Sequence, residues 1–251
     1  MTVTTTEYHG GFGGASLAVH RMGQGRPVVL LHGLFSSAQV NWIKYGHAAR
    51  LAEAGFEVIM PDLRAHGASA ATHDKADYPH DVLVADLVAC IASLGLGDYD
   101  LGGFSLGART ALKGVLAGLR PRRLILGGMG LEGMIRWGAR TVYFIDVIDR
   151  LGTIERDDPA YFAQQFMKTM KIDPVAARLL LESIEGVEVG DFAAVTMPTL
   201  VVCGTEDRDN GSPQALVEHL PQGQLAEIPG THMGCVPRPE LGMAIVRFLA
   251  A

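Results

Sequence analysis

The chain has 251 residues, of which 48% are hydrophobic and 19% charged, and its formal net charge is −6. This acidic balance, without a long basic block, argues against binding to nucleic acid or to an anionic membrane. The length suits one large globular domain with room for an inserted subdomain. We expect a cytoplasmic protein, because Cys90, Cys203 and Cys235 lack disulfide or zinc spacing and the first residues lack the features of a secretory signal.

Apolar runs typical of strands alternate with helical patterns along the first half of the chain. The predicted elements are strand 15–23, strand 27–33, helix 41–55, strand 56–63, helix 80–95, strand 99–105, helix 106–119 and strand 122–128. Alternation of this kind is typical of an α/β protein. We therefore predict a mostly parallel sheet with helices on both of its faces.

The alternation breaks between residues 130 and 190, where helical patterns follow one another without a convincing strand. It then resumes with strand 198–204, helix 212–220, strand 224–230 and helix 239–250. We predict a core domain formed by residues 1–129 and 191–251. The insertion 130–190 is predicted to be a helical cap.

The sequence GGFSLGART, residues 102–110, places Ser105 between a predicted strand and a predicted helix. Gly103 and Gly107 flank it in the pattern G-x-S-x-G. This pattern is typical of a nucleophile elbow, in which small residues let a sharp, strained turn pass close to neighbouring chain. The alternative is a serine that only caps the helix of a tightly packed turn.

A serine hydroxyl is a poor nucleophile until a base removes its proton. His232, in the sequence IPGTHMGC, lies between the last predicted strand and the last predicted helix. That loop belongs to the carboxyl edge of the sheet, where open α/β sheets bind their ligands. His232 is therefore the candidate base, whereas His32 and His66, each followed by glycine, are predicted to shape loops.

The base in turn needs a carboxylate to orient it. Asp207 is the preferred acid, because it follows strand 198–204 closely enough for a short side chain to point inward. Asp209 and Glu132 remain open as alternatives. Two backbone N–H groups must also stabilise the developing oxyanion, and the candidates are those of Leu106 and Leu34.

Four segments, HGLFSS, GFSLG, GTED and GTHMG, follow one another in this order along the chain. Together with PDLRAHGAS they resemble the α/β-hydrolase superfamily over about residues 17–250. The resemblance implies that Ser105 is the nucleophile, His232 the base and Asp207 the acid, with an oxyanion hole formed by the Leu34 and Leu106 amides. Haloalkane dehalogenases and epoxide hydrolases of this superfamily carry an aspartate nucleophile, so the serine argues against both.

The sequence GMGLEG, residues 128–133, matches the dinucleotide-binding pattern G-x-G-x-x-G. The stretch that follows is predicted to be helix and loop rather than a strand ending in an acidic residue. We therefore expect no dinucleotide, no other cofactor and no metal ion.

These features predict a serine hydrolase that cleaves a small carboxylic ester or a related acyl compound. Trp137, Phe144 and Phe166 of the cap are predicted to line the pocket, which favours a small-molecule substrate with an apolar acyl or alcohol group. The alternatives are a lyase or carbon–carbon hydrolase with the same fold, and a ligand-binding signalling protein with an intact triad. The sequence leaves a homo-oligomer open.

Overall fold

The computed structural model describes residues 3–251, and within them eight strands form one sheet in the order β1-β2-β4-β3-β5-β6-β7-β8. Strand β2 pairs antiparallel with β1 and with β4, whereas all neighbours from β4 to β8 are parallel. The strands are β1 (Thr5–Gly10), β2 (Ser16–Gly23), β3 (Arg26–Leu31), β4 (Phe56–Pro61), β5 (Asp100–Phe104), β6 (Leu124–Gly127), β7 (Thr199–Gly204) and β8 (Gly223–Ile228).

Helices cover both faces of this sheet. They are α1 (His47–Glu53), α2 (Val82–Ser93), α3 (Leu106–Leu116), α4 (Leu131–Ile135), α5 (Trp137–Asp149), α6 (Tyr161–Thr169), α7 (Pro174–Ser183), α8 (Pro213–His219) and α9 (Pro239–Ala250). Alternate residues of β3 belong to two different hydrophobic clusters, one containing α2, α3 and α8 and the other containing α1 and α9. The predicted α/β fold with a mostly parallel sheet is therefore confirmed.

Two details of the sequence analysis are wrong. Strand β1 was not predicted, because it has no buried residue and so carries no hydrophobic alternation. The single helix predicted over 41–55 is divided into a π-helical turn, Gln39–Ile43, and helix α1. Gly46 separates the two, since its φ of 78° lies in the left-handed region and interrupts the helix.

Helices α4 to α7 lie between β6 and β7, which are neighbours in the sheet. Trp137 of α5 and Leu180 of α7 belong to the same hydrophobic cluster as the residues on one face of the sheet. A third cluster joins α5, α6 and α7 to Phe35, which follows strand β3. The inserted helices therefore share their apolar interior with the sheet.

The three cysteines, Cys90, Cys203 and Cys235, are free and buried. Burial raises the pKa of each thiol to about 12, so none has the thiolate character that reactive cysteines need. Among residues 3–251, no helix combines the length and the apolar character required to cross a bilayer.

Helix α3 approaches strand β3 at backbone distance. A Cβ atom added at Gly107 would lie 2.4 Å from the carbonyl oxygen of Leu31 and 2.7 Å from that of His32. Both neighbours are main-chain atoms, which cannot move aside as the end of a flexible side chain could. This position therefore accepts only glycine at the present separation of helix and strand.

We predict that Gly107→Ala lowers the free energy of unfolding by at least about 2 kcal/mol, because helix α3 must move away from β3. Gly138→Ala is the matched control, since Gly138 lies in helix α5 and an added Cβ meets no atom within 4 Å. The control should keep or raise stability by up to about 1 kcal/mol. Urea unfolding followed by circular dichroism measures both, and equal stabilities of the two variants would contradict the close packing.

Candidate active site

Ser105 forms the turn between β5 and α3, with φ 54° and ψ −114°, a strained conformation for a residue with a side chain. The turn is tight enough that a Cβ atom at Gly103 would lie 2.3 Å from the carbonyl carbon of Gly107. The Ser105 hydroxyl does not cap helix α3. The geometry is that of an elbow that presents the hydroxyl, and the helix-capping alternative does not apply.

Three side chains from separate loops form a chain of hydrogen bonds. Oγ of Ser105 lies 3.1 Å from Nε2 of His232, and Nδ1 of His232 lies 2.8 Å from Oδ2 of Asp207. All three side chains are buried. A proton leaving Ser105 can therefore pass to an imidazole whose other nitrogen is held by a carboxylate.

The alternative acids form no hydrogen bond with His232. Glu132 is exposed, and its Oε2 accepts a hydrogen bond of 2.8 Å from the backbone N–H of Ser212. Asp209 is also exposed, and its backbone N–H donates to Oδ1 of Asp207 at 3.0 Å. This second bond orients the Asp207 carboxylate, so Asp207 is the residue that faces His232.

Asp207, Asp209 and His232 offer ligand atoms that lie within 4.8 Å of one another, a spacing that could hold a metal ion. A cation at this place would compete for the Nδ1 and carboxylate atoms that now bond each other. The observed hydrogen bond makes the cluster better suited to orienting the imidazole than to binding a metal.

The backbone N–H groups of Leu34 and Leu106 are available as donors. Neither donates to another protein group in the part of the chain that the structure describes. Leu106 is the first residue of helix α3, where the helix dipole also favours negative charge. These two amides therefore have the freedom that an oxyanion hole requires.

Buried side chains hold the loop that carries Leu34. The N–H of Gly33 donates to Oδ1 of Asn41 at 3.1 Å, and the N–H of Phe35 donates to Nε2 of His66 at 2.8 Å. Phe35 has a φ of 57°, which a residue with a side chain rarely adopts without support. The hydrogen bond from Phe35 to His66 supplies that support.

His66 accepts this bond because its ring is neutral. Complete burial is the largest cause, and it lowers the pKa of His66 to about 3. Its Nδ1 lies 2.9 Å from the carbonyl oxygen of Arg64 and so carries the proton. His32 repeats the arrangement, since its Nε2 accepts from the N–H of Leu63 at 2.9 Å. Both histidines shape loops, in agreement with the sequence analysis.

Ser105 and His232 lie in a cavity of about 720 Å³ whose walls are mostly apolar. Phe144 of α5 and Phe166 of α6 line it, so the inserted helices cover the carboxyl edge of the sheet above the serine. Trp137 is a correction to the sequence analysis. It is fully buried in the main hydrophobic cluster and does not line the cavity.

Arg140 is a cavity residue that the sequence analysis missed. It stands three positions after Trp137 and four before Phe144, so all three share neighbouring positions on helix α5. The sequence does contain a signal for this residue, because a cation among the aromatic residues of the predicted cap could have indicated a cavity position.

Comparison with known proteins agrees with this geometry. Residues 28–242 match the alpha/beta hydrolase family. The AB hydrolase superfamily protein YisY of Bacillus subtilis is 28% identical over 219 residues, which cover 77% of this chain and 78% of YisY. A malate-bound thermophilic esterase from Thermogutta terrifontis has a TM-score of 0.74 and 25% identity over 98% of both chains. A bromoperoxidase from Bacillus anthracis has a TM-score of 0.75 at 20% identity, over 98% of this chain and 100% of its own.

The protein is thus an enzyme of the hydrolase class with a small-molecule substrate. More particularly, the chain belongs to the alpha/beta hydrolase family, whose match spans most of its length.

The low pKa of His66 has a consequence for stability. Its ordinary pKa is 6.5 and its folded-state pKa is about 3. Between these values the unfolded chain binds a proton that the folded chain does not. The contribution is therefore fully present above pH 6.5 and is lost as the pH falls towards 3.

We predict that the free energy of unfolding falls more steeply from pH 7 to pH 5 in the wild type than in His66→Gln. Glutamine keeps an acceptor for the N–H of Phe35 but cannot bind a proton in the unfolded state. Chemical denaturation at each pH gives the two slopes. Equal slopes would contradict a neutral, buried His66.

Proposed function

We propose that this protein is a serine hydrolase that cleaves a small carboxylic ester, or a related acyl compound, through an acyl-enzyme. The observation that carries the proposal is the hydrogen-bonded series Ser105, His232, Asp207 at a mostly apolar cavity. The similarity to the Thermogutta terrifontis esterase supports an ester substrate.

In the first half of the reaction, Oγ of Ser105 attacks the carbonyl carbon of the ester while its proton passes to Nε2 of His232. Asp207 stabilises the imidazolium that forms. The carbonyl oxygen becomes negative and is held by the N–H groups of Leu34 and Leu106. The imidazolium then gives its proton to the departing alcohol, which leaves an ester of Ser105.

In the second half, His232 takes a proton from water as the water oxygen attacks the acyl carbon. The second tetrahedral intermediate uses the same oxyanion donors. It collapses with return of the proton from His232 to Oγ of Ser105, and the carboxylic acid leaves. One water is consumed and the enzyme is regenerated without a metal ion or an organic cofactor.

A labelled fluorophosphonate and a panel of 4-nitrophenyl esters of graded acyl length test the proposal. The wild type should be labelled and should hydrolyse at least the shorter esters, and Ser105→Ala should lose both properties. Absence of labelling together with absence of ester turnover would exclude the function. Stoichiometric labelling with release of only one equivalent of nitrophenol would point to a receptor-like protein instead.

The role of Asp207 gives a sharper prediction. Asp207→Asn should lower kcat roughly 10³- to 10⁴-fold, because the amide favours the wrong tautomer of His232, while the fold is retained. Glu132→Gln is the matched control and should keep the wild-type rate, since Glu132 bonds Ser212 and not the histidine. Steady-state kinetics and circular dichroism check both variants. An active Asp207→Asn enzyme would remove Asp207 from the mechanism.

The wall of the cavity gives a prediction on specificity. Phe166→Ala should raise the ratio of kcat/KM for octanoate over acetate esters roughly 10-fold, because the space freed by the ring can hold further methylene groups. Phe162→Ala is the comparison, since Phe162 is 82% exposed at the cavity and its removal frees little enclosed space. A ratio changed equally by the two variants would show that Phe166 does not limit chain length.

A further inference from the structure

The mostly apolar cavity contains a cation that forms no ion pair with any of the described residues. Arg140 lines the cavity, with its guanidinium carbon 5.6 Å from the ring centre of Trp137 and 5.8 Å from that of Phe144. Within residues 3–251, no carboxylate oxygen lies within the 4.0 Å of its nitrogens that defines an ion pair. Burial lowers the pKa of this guanidinium, which reflects the cost of keeping its charge in an apolar place.

The guanidinium is fixed on one side and free on the other. Its Nη1 donates to the carbonyl oxygen of Asp209 at 3.1 Å and to Oδ1 of Asn210 at 2.7 Å. Among the described residues its Nε has no partner, but this nitrogen is buried and out of reach of a ligand in the cavity. Nη2 has no acceptor among these residues either. Nη2 is therefore the nitrogen that can donate a charge-assisted hydrogen bond to a carboxylate in the cavity.

Two acidic groups act on Arg140 from the loop after β7, namely Asp209 and then Asp207. Asp207 bonds His232, and Asp209 is an exposed residue of the same cavity lining. Neither carboxylate forms an ion pair with the guanidinium at the 4.0 Å limit. An unpaired buried donor is costly, so a complementary ligand would recover that cost on binding.

We propose that Arg140 is a specificity-determining residue that binds a carboxylate group of the substrate. The substrate is then an acyl compound with an apolar body and a free carboxylate, placed so that the scissile carbonyl reaches Ser105. The reaction assigned to this substrate rests on the proposed function, whereas the anion site does not. A carboxylate fits better than a phosphate, because one guanidinium in an apolar wall balances a single negative charge.

Binding of a matched ligand pair tests the anion site without any turnover. We would titrate the protein with 3-phenylpropanoate and with 3-phenylpropanamide, which have the same shape and differ in charge. The wild type should bind the carboxylate roughly 10- to 100-fold more tightly, as expected for charge-assisted hydrogen bonds in an apolar site. Phenyl phosphate serves as a third ligand. If it binds more tightly than 3-phenylpropanoate, the choice of a carboxylate as the anion is overturned.

Three variants assign the preference to Arg140. Arg140→Gln should bring the two affinities within about 2-fold of each other, and Arg140→Lys should give an intermediate ratio, because ammonium keeps the charge but loses the planar fork. Arg136→Gln is the matched control. Arg136 is exposed and lies outside the cavity lining, so the wild-type ratio should persist. Equal binding of acid and amide by the wild type, or equal effects of Arg136→Gln and Arg140→Gln, would overturn the inference.

A kinetic arm separates this inference from the proposed function. Two 4-nitrophenyl esters of adipic acid are compared: one has its second carboxylate free, and the other has it blocked as a methyl ester. The wild type should hydrolyse the free acid with the higher kcat/KM, and Arg140→Gln should lose that preference. Carboxylate binding without ester hydrolysis or labelling of Ser105 would refute the hydrolase while keeping the anion site. Hydrolysis without a carboxylate preference in binding or kinetics would refute the anion site while keeping the hydrolase.

Discussion

The close approach of helix α3 to the backbone of strand β3 is the constraint on which the site depends. Gly107 has main chain from Leu31 and His32 directly against it, and Gly103 has the main chain of Gly107 against it. The backbone of the turn between these glycines is therefore restricted to one path, in which Ser105 has a strained conformation. The same contact fixes the hydroxyl of Ser105 and the adjacent N–H of Leu106, so the proposed nucleophile and the proposed oxyanion donor are positioned together.

The loop that carries Leu34, the second proposed oxyanion donor, is held in a different way. The N–H of Phe35 in this loop donates to His66, and the N–H of Leu63 in the loop after β4 donates to His32. Both rings are buried, and each can accept its hydrogen bond only without a second proton. Asp62 extends this network. Although burial raises its pKa, hydrogen bonds from His20 and from the N–H groups of Ala68 and Ala38 keep that pKa at about 2. Neutral histidines and the ionised Asp62 thus hold these loops together by hydrogen bonds. A network of this kind suits a preorganised site.

The sequence was informative where local patterns determine the outcome. The buried parallel strands are short apolar runs, and the elbow is fixed by two glycines around one serine, so the sheet and the positions of Ser105 and His232 could be predicted. The sequence was uninformative about which side of a helix faces the cavity, because this depends on the rotation of the helix about its own axis. Whether Trp137 or Arg140 faces the cavity depends on how α5 packs on the sheet, and aromatic residues on this helix face both ways. Strand β1 escaped prediction because its pairing with β2, not burial of its side chains, holds it in place.

The inserted helices share their apolar interior with the sheet, and this has an evolutionary consequence. On α5, Trp137 and Val147 are completely buried among hydrophobic neighbours, whereas Arg140, Tyr143 and Phe144 border the cavity. Under the proposed function, substitutions at Arg140 and Tyr143 would change which substrates the cavity accepts without removing a completely buried side chain. Exchange of the whole insertion would remove part of that interior as well. We therefore expect single replacements on one side of helix α5 to change substrate preference more readily than exchange of the whole insertion.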